Sequence, residues 1–296
     1  MKKTIVLLSF LVSITSAFAI GSGGGCDDKD QRPPKNLNIK AKTEHIMEMT
    51  GKLYDYLDEN SVRAAIVSRA GNNLSKRKFR TPKKQKYTHA GIAYKLKDGR
   101  WHFMHLLNEC AGPTSRIYEQ GLARFYMDDP HYYDFLVGIP SPELQVQMAN
   151  VLEDKEIGRK GLALNLHNPK YSSIANPFST MFQNSNMWVL SVIAAAQSGS
   201  TDRARTQEYY QDQGYNPSQV KLGKWEKAFV KMFAKNVQKK DHTKKEKRSR
   251  WFNFVSAASL HDYLKNTDTL VEKEFCLDQG CNIPSKKIDY FSKKKK

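Results

Sequence analysis

The run Tyr87-Thr88-His89-Ala90-Gly91-Ile92-Ala93-Tyr94 and its successor Trp101-His102-Phe103-Met104-His105-Leu106-Leu107 constrain the fold more than any other part of the chain. Both are short and largely apolar, and Lys97-Asp98-Gly99-Arg100 between them has turn chemistry. The pair therefore reads as a β-hairpin with strands over Thr88–Lys95 and Trp101–Leu107. Alternation puts Trp101, Phe103 and His105 on one face, and His102 and Met104 on the other, where His102 is expected to be exposed. If His89 shares the first face, the two imidazoles can hydrogen-bond across the hairpin.

The elements around the hairpin set the fold class. A helical pattern covers residues 43–60 through Ile46, Met47, Met49, Leu53 and Leu57, and Arg63 to Ser68 is β-like. After the hairpin we expect a helix over Ile117 to Phe125, a strand over Tyr132 to Ile139, and a helix over Glu143 to Leu152 opened by Pro140 and Pro142. Residues 155–183 are irregular. Met187, Val189, Leu190, Ile193 and Ala194 then mark a helix beginning near Ser185. Helices near Arg203–Asp212 and Ser218–Val237 follow, then a strand over Trp251 to Ala257. Ser259-Leu260-His261-Asp262 resembles a capping box opening a last short helix. This order predicts an α+β fold, a small antiparallel sheet packed against helices with extra C-terminal helices, rather than a βαβ array.

The N-terminus reads as a secretory signal over residues 1–19. Lys2 and Lys3 precede an apolar core from Thr4 to Thr15, and Ala17-Phe18-Ala19 forms a small-x-small cleavage site. The core is too short to span a bilayer roughly 30 Å thick, and no later segment is long enough, so no membrane span is expected after signal removal. Periplasmic or secreted localisation follows. Residues 20–40 read as disordered, 41–264 as one domain, and 265–296 as a basic tail. The four cysteines, Cys26, Cys110, Cys276 and Cys281, all lie beyond the signal. An even count in an exported chain favours disulfides, Cys276 with Cys281 around Gly280 and Cys26 with Cys110. A metal site competes with that reading, but the spacing fits no zinc pattern.

Net charge is +18, concentrated in Lys83-Lys84-Gln85-Lys86, Lys239 to Arg250, and Lys293 to Lys296. Such runs are either solvated loops or attractors of an anionic polymer. Aromatics do not interleave them, so no specific nucleic-acid partner is expected. The chain also lacks a phosphate-binding glycine loop, a dinucleotide fingerprint and a metalloprotease helix motif, so no nucleotide or metal cofactor is expected.

Chemistry concentrates in three residues. His89 opens a strand, His105 can orient it, and Ser185 stands at a helix start, where amide groups favour developing negative charge. Ser185 is also a good N-cap, as is Asn184. Arg69 and Asn108 end strands on the histidine side and are candidates to bind an acidic group, with Asn184 and Asn186 flanking the serine. Asp128 and Asp129 with His131 are a weaker alternative that reads more simply as a loop before Pro130.

These motifs resemble the circularly permuted papain-like fold of NlpC/P60 peptidases and lecithin:retinol acyltransferase-like enzymes. There a His-x-Gly strand supplies the base, the next strand a polar orienting residue, and an Asn-Cys helix the nucleophile. The resemblance implies that His89 is the base, His105 the orienting residue and Ser185 the nucleophile, with serine replacing the usual cysteine. Over nearly the whole mature chain the sequence resembles more closely an exported bacterial family of unknown function, DUF2145. That likeness rests on Arg69-Ala70-Gly71, Thr88-His89-Ala90-Gly91, His105-Leu106-Leu107-Asn108, Tyr126-Met127-Asp128-Asp129, Pro177-Phe178-Ser179-Thr180 and Gln183-Asn184-Ser185-Asn186. Two functions follow as expectations. One is a hydrolase or acyltransferase acting on an envelope amide, ester or small acyl substrate through His89, His105 and Ser185. The other is a catalytically inactive papain-like fold that binds an anionic cell-envelope ligand or a partner protein.

Overall fold

A computed structural model describes residues 39–70, 79–80, 87–110, 112–127, 135–153, 162–223, 235–267 and 269–272. Helix α1 (Ile39–Glu59) leads into β1 (Ala64–Ala70), the short β2 (Phe79–Arg80), and the hairpin strands β3 (Tyr87–Lys95) and β4 (Trp101–Asn108). Next come β5 (Ser115–Gln120), α2 (Leu122–Met127), β6 (Phe135–Pro140), α3 (Pro142–Leu152), a 3-10 turn (Leu162–Leu166) and α4 (Ser185–Ser198). The remaining elements are α5 (Arg203–Asp212), β7 (Ser218–Lys221), α6 (Lys244–Ser249), β8 (Trp251–Phe254), α7 (Ala257–Asn266) and β9 (Leu270–Glu272).

The larger sheet runs β5-β4-β3-β1-β6-β9, and each neighbouring pair is antiparallel. Helices cover both of its faces, which makes the fold α+β. On one face, Ala64, Ile66, Ala90, Ile92, Met104 and Leu106 pack under α3, α4 and α7. On the other, Ala65, Val67, Ala93 and Phe103 pack under α1 and α2. Central strands buried on both sides need near-continuous apolar sequence, as Ala64-Ala65-Ile66-Val67 supplies. Every residue of α4 from Ser185 to Ala196 is buried, so this helix has no polar face. A second sheet, β2-β7-β8, carries its own core of Val220, Leu222, Phe252 and Phe254.

Three local expectations are corrected. The helix expected over Ile117 to Phe125 is two elements, β5 and α2, divided at Gly121. The β-forming Ile117 and Tyr118 pair with β4 before that break. The helix expected from Ser218 begins instead as β7, where Ser218 and Val220 are buried while Gln219 and Lys221 are half-buried, a period of two. The last helix is capped by Ser256 in a capping box with Ser259, three residues before the expected position. Among the described residues, no helix is long and apolar enough to cross a membrane. The signal segment, Cys26, Cys276, Cys281, Asp128, Asp129, His131 and the first and last lysine runs lie outside the described residues.

Candidate functional site

His89 and His105 meet on the α1/α2 face of the sheet. The β3–β4 ladder pairs Ala93 with Phe103, which fixes the odd-numbered side chains of both strands on one face. His89 Nε2 lies 3.0 Å from His105 Nδ1, and Phe125 of α2 covers both rings at centroid distances of 5.4 and 5.1 Å. Gln120 of β5 extends the chain, its Nε2 2.7 Å from His105 Nε2. Protons are assigned from this chain of donors. The Gln120 amide donates to His105 Nε2, so His105 carries its proton on Nδ1 and donates to His89 Nε2. His89 is left with its proton on Nδ1 and its lone pair already accepting.

Arg69 joins the cluster from β1, where it is the register partner of His89. Its guanidinium lies 4.9 Å from the Phe125 ring centroid, and Nη1 donates to the Phe125 carbonyl at 2.6 Å. Burial is the main force holding both imidazoles well below their ordinary pKa of 6.5, and the Arg69 charge adds to it. Both rings are therefore neutral near pH 7.

Ser185 stands apart from them. It is the first residue of α4, whose apolar side chains pack on the opposite face of the sheet. Burial pushes the phenol of Tyr171 up, and the Ser185 side chain partly offsets that. Among the described residues, no hydrogen bond joins Ser185 to either imidazole. The expected bond between the two imidazoles is present, whereas among these residues no hydrogen bond extends it to Ser185. The cause is which sheet face α4 covers, a long-range property that strand alternation does not determine.

The two asparagines explain how α4 is placed. Asn184 is its N-cap, with Oδ1 accepting from Met187 N at 2.7 Å while Nδ2 donates to the Val255 carbonyl at 3.0 Å. Asn186 Oδ1 accepts from Ala90 N at 2.9 Å, and Nδ2 donates to the Thr88 carbonyl at 3.2 Å. The β3–β4 ladder runs only from Ile92 to Lys95. Asn186 therefore serves as a surrogate strand for backbone groups beyond the ladder's end, on either side of His89.

Asn108 is buried at the end of β4, with Nδ2 donating to the Gly112 carbonyl at 3.5 Å, and alternation puts it on the face opposite His105. Cys110 follows in the left-handed region at φ 47° and is not a free thiol. His102 is half-buried rather than exposed, paired with Glu119 across β4 and β5. Gln120, Phe125 and Tyr171 were not marked by the sequence. Gln120 fell inside a segment read as helix, and Tyr171 inside one read as loop. Among the described residues, no set of three or more His, Cys, Asp and Glu side chains is arranged to hold a metal ion.

A family model described as "Uncharacterized protein conserved in bacteria (DUF2145)" matches residues 56–264, which include all the elements described from β1 to α6 and most of α7. No curated protein and no solved structure matches the chain.

Proposed function

Since the chain belongs to the DUF2145 family and, among the described residues, no hydrogen bond joins its candidate nucleophile to an imidazole, we propose that it is an exported binding protein. On this reading it keeps a permuted papain-like core without turnover. Its ligand is an anionic component of the cell envelope. The carrying observation is that, among the described residues, no hydrogen bond joins Ser185 to an imidazole, while the His89 lone pair already accepts from His105. A serine hydroxyl is scarcely ionised near neutral pH and depends on such a base more than a cysteine does. Anionic ligand chemistry rests on the net charge of +18, which raises the local concentration of anions and the rate of encounter with them.

Two measurements test this. A fluorophosphonate probe is expected to leave the exported protein unlabelled, and Ser185→Cys is expected to resist iodoacetamide near neutral pH because no imidazole generates its thiolate. Dextran sulfate, as a probe polyanion, is expected to bind with an affinity that falls steeply as salt rises. The hydrolase or acyltransferase reading is favoured by the neutral state of His89 near pH 7, the form a general base needs. Labelling of the wild type that Ser185→Ala abolishes would establish that reading instead.

A further inference from the structure

Residues 239–250 hold seven cations, five lysines and two arginines, with two acids between them, Asp241 and Glu246. On an ordinary solvated surface such acids sit among the cations and neutralise them in pairs. Here both turn inward. Asp241 Oδ2 accepts from Asn176 N at 2.8 Å, and its side chain is buried beside His242. Glu246 Oε1 accepts from Asn253 N at 3.0 Å and lies 3.1 Å from His242 Nδ1. Its Oε2 accepts from Thr243 N at 2.8 Å, which closes the capping box of α6. His242 ties the group to the loop below, with Nε2 2.7 Å from the Ile174 carbonyl. Both carboxylates are engaged in holding the segment to the domain.

The outward face of α6 is therefore cationic. Successive side chains of a helix are about 100° apart. Lys247, Lys244, Arg248 and Lys245 are all exposed, and they fill a contiguous arc of about 160° centred opposite the buried Glu246. Among the described residues, no acid pairs with any of these four. Lys240, also exposed, stands just before the helix, and Lys247 Nζ donates to its carbonyl at 3.2 Å.

Each of these cations is solvated, so a single small anion gains little from any one of them. A chain of many anionic groups gains from all of them together, because each contact releases counterions from the chain. Lysine, a hydrated point charge, suits that diffuse attraction rather than a fixed geometry. A lipid surface fits less well. None of the large apolar side chains exposed among the described residues falls in 235–254, so the segment has none to bury in hydrocarbon. Resting on the anionic-ligand reading above, we propose that α6 and the turn before it are the site at which a linear anionic polymer of the envelope binds.

The test is the salt dependence of dextran sulfate binding by the full chain. Four contacts predict that log affinity falls against log salt with a slope of about −3. Lys244→Gln/Lys245→Gln is expected to weaken binding about 25-fold at about 0.1 M salt and to flatten the slope by about 1.4. Lys244→Arg/Lys245→Arg keeps the charge and should bind as the wild type does. Lys97→Gln/Arg100→Gln removes equal charge from the β3–β4 turn. Asn186 bonds the carbonyls of both Thr88 and Val255, so that turn, about 23 Å further along β3, lies at the end away from β8. Screening acts over about 10 Å, so this variant should change binding less than about threefold. Circular dichroism confirms that each variant folds. If the turn variant weakens binding as much as the α6 variant, or the α6 variant binds like the wild type, the site is overturned while the anionic-ligand reading stands. If dextran sulfate does not bind at all, both fall. Phosphatidylglycerol vesicles that bind through Lys244 and Lys245 and are not displaced by dextran sulfate would make the partner a lipid surface and overturn the polymer.

Discussion

A methyl group at Gly91 would sit 2.8 Å from His105 Cβ and 2.4 Å from the tip of the Phe103 ring. Gly91 thus lets β3 pass close enough for the imidazoles to bond. Gly91→Ala is expected to cost about 1–3 kcal/mol of stability through overpacking, read as a lower urea midpoint; an unchanged midpoint would refute the close packing. The imidazoles themselves predict a pH dependence. Their folded pKa values lie below 6.5, so as pH falls through that value the unfolded chain takes up protons that the folded chain does not. The stability of the neutral pair is full above about pH 6.5 and is lost progressively below it. Urea titrations at about pH 8 and pH 5 should show this loss, and a His89→Gln/His105→Gln double variant should show less of it. Equal losses in both proteins would count against the buried neutral pair. That pair was legible because two residues on neighbouring strands are related by period and turn alone.

Between elements, legibility depended on how far apart the contacting residues lie. The hairpin, α3 behind Pro142 and α4 behind Asn184 follow from local signals: alternation, a proline in the first helical turn, and a side-chain cap. The side on which α4 lands does not. It depends on Asn186 meeting Ala90, 96 residues earlier, and one residue in the sequence carries that contact. A smaller separation hid β7, whose short period-2 pattern needs β8 to become a sheet. Asn186→Ala would strip the Ala90 N–H and the Thr88 carbonyl of these partners. We expect it to lower stability by about 1–3 kcal/mol. Asn186→Asp keeps the acceptor but loses the donor and buries a charge, so it should rescue little. Thermal melting of both variants checks this, and melting temperatures matching the wild type would show that Asn186 is not the docking residue.

For the whole molecule, the proposed export and the four cysteines predict Cys26–Cys110 and Cys276–Cys281 bridges. Mass spectrometry of the unreduced exported protein should recover both linked peptides, and free thiols at these positions would refute the pairing. The charge was visible in composition alone, while a cleft lined by Asn216, Gln219, Asn253 and Asp262 beside α7 was not, because its walls come from three separated stretches of chain. The surrogate-strand role of Asn186 also bears on when the molecule becomes itself. As synthesis proceeds from the N-terminus, the hairpin emerges long before residue 186, and the backbone groups flanking His89 must wait in water for it. Contacts of such separation form late and slow the search for the native state. The first half of the chain is then a nascent sheet with a gap at its centre, open to the wrong strand until α4 arrives.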